Sequence, residues 1–434
     1  MTDRSSKPTS RRKFLLSVGA AGGAAVLGST VPFRRAYAAA PPAVNVGQIA
    51  PFTGSAAEFG PFYKDAAQLG VNQVNKAAQE VLGGPIIKQL ITVDTNTLPT
   101  PGIAAARKLV EADGVVAIIG GWSSGVTVAV ATSVALPAGV LQIDNGATSP
   151  LISVLPADQK ADLLFRTTAS DALQGVVAAQ LATGEIIKDY KFKTAASVYI
   201  NNPYGQGLSN AFAKSFEKRG GKILAQVPHP EEVQATYKAE LATALKGKPE
   251  LLFLPSYPSH SAVILKESRD IFNFTKWQLT DGNKSDDVLK AVGAQTLNGT
   301  LGTAPGEDVD APAYKGFKQN YADQFHRTRI PPFTAPAYDA AVLIGLALAQ
   351  AIVKGHITDA NSITGSVIRA QLRSVANPGG EEVIGGTQDG VTKALQLIKA
   401  GKDINFTGAA GPDDFDKNGD VITPYDIWDI KDGQ

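Results

Sequence analysis

"VVAIIGGWSSGVTVAVA", residues 115–131, joins a β-branched run to a helix-like run through a Gly-Gly turn. Val115 to Ile119 is apolar throughout, as a parallel strand covered on both faces must be. A strand, a tight turn and a helix in that order form the repeating unit of a parallel α/β sheet. The same stretch holds Gly121-Trp122-Ser123-Ser124-Gly125, which satisfies the Gly-x-Ser-x-Gly pattern of a hydrolase nucleophile elbow. Two readings of the serines follow. Ser123 is a nucleophile, or the serines sit at a helix N-terminus, where unsatisfied N–H groups and the dipole attract an anion.

Outward from this junction the alternation continues. Val44 to Ile49 reads as a strand, Ala57 to Ala78 as a helix and Ile86 to Val93 as a strand. Thr100-Pro101 predicts a helix start with Thr as N-cap and Pro in the first turn. Val140 to Ile143 is the next strand. After "LLFRTT" the grammar restarts: helix 172–187, strand 195–200, helix 206–219, strand 222–227, helix 235–246, strand 251–254, helix 259–269 and strand 277–280. The tail adds a helix over 335–351 and, at Asn418-Gly419, the signal of a β-hairpin turn. The fold class is therefore α/β with doubly wound parallel sheets. The chain has 434 residues, and even the nearly four hundred beyond position 38 exceed one usual core, which predicts two lobes.

The ends and the charge narrow the function. Ser10-Arg11-Arg12-Lys13-Phe14-Leu15 is a twin-arginine export signal, followed by a Gly/Ala-rich stretch and Ala36-Tyr37-Ala38 as a cleavage site. Residues 1–38 are read as a signal peptide and the remainder as a soluble, exported, periplasmic protein. Its removal takes seven of 41 Lys/Arg and one of 40 Asp/Glu, leaving a net charge of −5. That balance is no footprint for nucleic acid or anionic lipid. The chain has no cysteine, which excludes disulfides and a lipidated Cys anchor.

Catalytic and metal motifs are weak. An α/β-hydrolase needs an acid and a histidine downstream of its serine. Of the four histidines, His229, His326 and His356 read as surface residues, and only His260 tempts as a partner. No His-Gly-Gly-type oxyanion loop lies upstream, so the chain is read as no enzyme. Asp414-x-Asp416-x-Asn418-Gly419 begins like a calcium loop, but the twelfth position is Tyr425 where a bidentate Glu belongs. No Cys/His cluster or nucleotide motif is present, so neither metal nor cofactor is assigned.

Five motifs in order carry a resemblance: "VNVGQIAPFTGSAAEFG", "ADGVVAIIGGWSSG", "VLQIDNGATSPLIS", "NNPYGQGLSNAF" and "GPDDFDKNGDV". Together they resemble the leucine/isoleucine/valine-binding protein family, the type I periplasmic solute receptors of ABC importers. The resemblance implies two Rossmann-like lobes joined by a multi-strand hinge, at 44–166 plus 296–405 and 167–295 plus 406–434. It implies a monomer that closes over an amino acid and is then recognised by a membrane permease. Ser124, assisted by Thr148, would donate to the ligand carboxylate. The Gly146 carbonyl and Thr148 would receive the ammonium, with Ser123 and Ala147 alongside in the same loops. Tyr204 and Tyr257 would close from the second lobe, and Asp281 would pair with the ammonium. Two departures bear on the ligand's identity: Asp281 stands where Glu is usual, and Trp122 where smaller residues are common. The alternatives are a receptor for an aromatic or other carboxylate, with Trp122 stacking, a sensor-type binding module, and, as outsider, a serine hydrolase.

Overall fold

The computed structural model describes residues 40–431, so the export signal expected over residues 1–38 lies outside the described residues. Among the described residues, two large sheets and one two-stranded sheet are present. The first contains β1 (Val44–Ala50), β2 (Ile87–Asp94), β3 (Ala117–Gly120), β4 (Leu141–Asp144) and β5 (Leu164–Arg166). They are all parallel, in the order β2-β1-β3-β4-β5. The second contains β6 (Thr194–Ile200), β7 (Lys222–His229), β8 (Leu251–Phe253), β9 (Trp277–Leu279) and β10 (Leu301–Pro305), mutually parallel. A final strand, β13 (Tyr425–Asp429), pairs antiparallel with β10 at the edge, giving the order β13-β10-β9-β8-β6-β7.

Both large sheets start one strand in from an edge and wind outward in two directions. The chain therefore splits between β1 and β3 in one sheet and between β6 and β8 in the other. Loops leaving the carboxyl ends of strands at such points form a crevice. A short parallel pair, β11 (Glu381–Ile384) and β12 (Ile404–Thr407), stands apart. The helix Thr334–Gly355 is long and apolar enough to cross a membrane, yet it is a core helix. It is buried against helices Gly60–Val81, Gly365–Ala376 and Gln388–Lys399.

Several sequence expectations need correction. The first helix begins at Gly60, because residues 55–59 turn under the strand end and a Cβ at Gly60 would lie 2.4 Å from the Pro51 carbonyl oxygen. The second helix starts at Pro99 with Leu98 as N-cap, so Thr100 is inside it and caps nothing. Helix 172–187 is Asp171–Ala182, and helix 206–219 starts at Pro203, where Asn202 accepts the Gly205 N–H at 3.1 Å. Asn418-Gly419 does make a tight turn, but the flanks are not strands of a hairpin. The C-terminal strand β13 instead takes the open edge of β10. That pairing also puts 301–305 in the second sheet, beyond the lobe boundary expected at 296. The chain passes between the two sheets three times, over 167–170, 306–311 and 408–424.

Candidate functional site

The turn after β3 is built by three consecutive residues with positive φ: Gly120 (94°), Gly121 (130°) and Trp122 (54°). Only glycine fits the first two. A Cβ on Gly120 would lie 2.4 Å from the Ile49 carbonyl oxygen, and on Gly121 2.2 Å from the Thr127 hydroxyl. Trp122 holds a left-handed backbone that a bulky side chain rarely adopts, the kind of strain that clusters at binding sites. Ser123 is the N-cap of the helix that follows, yet its hydroxyl makes no cap bond. It accepts the Tyr257 hydroxyl at 3.0 Å from the other side of the crevice. The Ser124 hydroxyl accepts the backbone N–H of Ser149 at 3.2 Å, tying this turn to the loop after β4. The helix start also draws a protein carboxylate: a Cβ on Gly125 would lie 2.7 Å from Glu231.

Asp144, at the end of β4, organises both loops. Its carboxylate accepts the N–H groups of Gly146 and Ala147, each at 2.7 Å, and the Thr127 hydroxyl. Burial raises its pKa, and these donors oppose the rise. Arg166 on β5 is fully buried and holds the next stretch, donating to the carbonyls of Ala147 (3.2 Å) and Ser149 (3.0 Å) and pairing with Asp420 at 2.8 Å. Asp420 is thus occupied as an ion-pair partner in the segment that began like a calcium loop. Asp416 accepts the N–H groups of Asn418 and Asp420 within the same turn.

The second sheet supplies the facing wall. Tyr204 and Tyr257 stack with ring centroids 5.5 Å apart, and Trp122 packs on Tyr257 at 4.8 Å and on Phe59 at 5.5 Å. A Cβ on Gly146 would lie 2.4 Å from the Trp122 ring, so the glycine makes room for the indole. Asp281 follows β9. One of its oxygens accepts Gln174 at 2.7 Å and Tyr204 at 3.0 Å. Burial pushes its pKa up to about 6, which the two donors counter.

The nine residues expected at the site are therefore brought together, six from loops of the first sheet and three from the second, all buried. Asp171, Asp144, Gln174 and Arg166 escaped sequence reading. Asp171 opens the helix after β5 and is completely buried, with neither carboxylate oxygen hydrogen-bonded. Burial and then repulsion from Asp281 raise its pKa well above the usual carboxylate range. Its signal was local: "TTASD" combines a strand end with a helix cap, the position from which ligand-facing residues project. The Thr148 hydroxyl and the Trp122 indole N–H are likewise buried without a partner.

The serine-nucleophile geometry is not built. Ser123 faces a tyrosine, while the His260 Nδ1 is engaged with the Tyr237 hydroxyl at 2.7 Å. Contacts across the crevice also extend to its rim. Glu58 accepts the N–H groups of Asp286 (3.0 Å) and Asp287 (3.3 Å) and the Ser285 hydroxyl, and Arg329 bridges Glu58 (2.7 Å) and Asp286 (3.2 Å).

Comparison with known proteins agrees on the family and the fold. The family model described as periplasmic binding protein matches residues 43–434. The Leu/Ile/Val-binding protein BraC3 of Rhizobium johnstonii is 27% identical over 367 residues, which is 83% of this chain and 92% of that protein. The substrate-binding protein LivJ of the branched-chain amino acid transporter of Streptococcus pneumoniae, solved with isoleucine, superposes with a TM-score of 0.69. It is 20% identical, and the match covers 90% of this chain and 97% of that one. A solute-binding protein of an ABC transporter from R. palustris, solved with 4-hydroxybenzoate, gives a TM-score of 0.67 at 18% identity, covering 90% and 94%.

Proposed function

Since the chain belongs to the periplasmic binding protein family, whose members are substrate-binding proteins, we propose that it is the receptor of an ABC importer and captures an amino acid between two lobes. The lobes are 44–166 with 312–405, and 171–305 with 425–431. Hinge motion at the three crossings opens and closes them. The observation that carries this reading is the arrangement of charge in the crevice. A helix N-terminus with Ser123 and Ser124 faces Asp281 and Asp171, so one end attracts a carboxylate and the other an ammonium. A zwitterion has that pattern. Trp122, Tyr257 and Phe59 form the apolar wall for the side chain.

Trp122, Ser123, Ser124, Gly146, Ala147, Thr148, Tyr204, Tyr257 and Asp281 are the proposed ligand contacts. The chain acts without chemistry of its own, as a periplasmic monomer exported by the twin-arginine route and recognised by a membrane permease. A second reading, an aromatic carboxylate, draws on the aromatic wall and on the ligand of the R. palustris protein. Two buried acids disfavour it, because a plain carboxylate meets like charge there.

A thermal-shift screen of amino acids and organic acids tests the choice. A ligand present at a hundredfold its Kd stabilises the protein by about 2.7 kcal/mol. The expected hits are amino acids, with the matching des-amino acids inactive. Shifts confined to benzoates would transfer the assignment to the second reading.

A further inference from the structure

We propose that Asp171 and Asp281 act as a charge gate on closure: the closed cleft accommodates this acid pair only when one positive charge, a ligand ammonium or a proton, joins it. The proposal builds on the amino-acid reading of the same site and assigns Asp171 a part in selectivity and in keeping the empty receptor open.

The two carboxylates belong to one electrostatic unit. Asp171 begins the helix Asp171–Ala182, and Gln174, one turn later in that helix, donates to Asp281 at 2.7 Å. Both acids are buried, at 0% and 4% exposure. Neither oxygen of Asp171 has a hydrogen-bond donor, although the Thr148 hydroxyl lies close enough to ease its charge. Two desolvated carboxylates that feel each other's charge resist being ionised together without a cation.

Among the described residues, no unpaired cation acts on either acid. Arg166 on β5 is the one cation that eases the Asp171 charge, and it is paired with Asp420. From β13, Tyr425 donates to the Ser170 carbonyl. From helix Pro203–Lys218 and the loop after β8 come Tyr204 and Tyr257, neutral phenols. Glu231, on the same side as Tyr257, adds negative charge, as do Asp144 and Glu58 on the first-sheet side around Tyr63. Arg329 near Tyr63 is held by Glu58 and Asp286. The raised pKa values of both acids agree with this geometry.

Closing brings Thr148 and its loop from the first lobe over Asp171, whose backbone N–H donates to the Thr148 carbonyl at 2.8 Å, so the closed form binds a proton more tightly than the open form. The sign follows: falling pH favours closure of the empty receptor, and rising pH through about 6 favours opening. At neutral pH an ammonium takes the proton's place. A ligand without a cation leaves the repulsion in force and cannot hold the lobes together.

Small-angle scattering on the ligand-free full mature protein reads closure as a smaller radius of gyration. The wild type should be open at pH 7.5 and compact toward pH 5, its closed-to-open ratio changing by about tenfold per pH unit where one proton is linked. Asp171→Asn should close without ligand at pH 7.5, and Asp171→Asn combined with Asp281→Asn should also lose the pH response. Asp171→Asn is close to isosteric and breaks no hydrogen bond of Asp171, so it serves if the double variant fails to fold. Asp339, Asp413 and Glu307, buried acids around the crossings, also have raised pKa values, and the Asn variants separate the gate from them. Variants as open as wild type at pH 7.5, or an acid response that survives in the double variant, would overturn the gate. Because the protein carries no added ligand in this experiment, failure of the gate is distinct from failure of the amino-acid reading.

Discussion

The Glu58 carboxylate, on the loop after β1, accepts the backbone N–H of Asp286 at 3.0 Å and so caps a helix carried by the opposite sheet. An N-cap acceptor normally lies within its own helix, and here Ser285 shares the task with a residue 227 positions away. Because Glu58 and Asp286 stand on opposite sides of the cleft, the proposed hinge motion would break the contact on opening. Its energy therefore belongs to the closed form.

Glu58→Ala should weaken ligand binding through faster dissociation. Losing a cap costs about 0.5–2 kcal/mol, which corresponds to roughly two- to thirtyfold in Kd. Arg329→Met should act in the same direction, since it frees Glu58 and Asp286 together. Stopped-flow dissociation of the best ligand from the thermal-shift screen checks this. An unchanged off-rate accompanied by a lower melting temperature would place Glu58 in the stability of the fold alone.

The two serines should separate in a different way from simple loss of ligand contact. Ser123→Ala removes the hydrogen bond across the cleft, for about 0.5–1.5 kcal/mol, and Tyr257→Phe removes it together with the acceptor of Asn202 and should cost more, with the double variant little worse than Tyr257→Phe alone. Ser124→Ala removes an acceptor for Ser149 N–H and the donor proposed for the ligand carboxylate, for about 1–3 kcal/mol. Isothermal titration of the four variants decides. Additive losses for Ser123 and Tyr257 would mean that they do not act as a pair.

Asp281→Asn should discriminate by ligand charge. Removing one partner of a desolvated ion pair costs about 2–5 kcal/mol, so an amino acid should lose far more affinity than its des-amino analogue. The analogue should hold or improve, because a repelling carboxylate has gone. Equal losses for both would reduce Asp281 to a shaping residue.

The histidine pair behind Tyr257 governs acid stability. His229 and His260 pack with ring centroids 4.7 Å apart and the rings tilted by 42°, and burial holds their pKa values down at about 4 and about 3. The unfolded chain protonates them near 6.5, so stability falls as pH drops from about 6.5 toward these values. Each histidine contributes up to about 1.4 kcal/mol per pH unit in that window. Urea unfolding between pH 6.5 and 4.5 should show a shallower fall for His260→Gln than for wild type. Parallel slopes would mean that His260 takes no part in the acid sensitivity.

What the sequence by itself determined is local: the order of strands and helices, that the apolar run 115–119, which holds most of β3, lies between two covered faces, and which loops leave the carboxyl ends of strands. These features depend on residues within a few positions of one another. The Gly120-Gly121 turn required positive φ, and Asn418-Gly419 specified a turn from its own chemistry. The tertiary structure alone decided what those local pieces meet. β13 went to β10 because the second sheet left that edge open, and no turn residue encodes a partner more than a hundred positions upstream. Asp171 reads in sequence as an ordinary first-turn acid, which a helix dipole would favour anywhere. It becomes half of a charge pair only because Gln174 reaches Asp281 across 107 positions. Asp144 and Arg166 were equally silent, because a buried charge takes its role from the groups that satisfy it. Those groups come from distant strands, brought within hydrogen-bond range by the packing of the sheets.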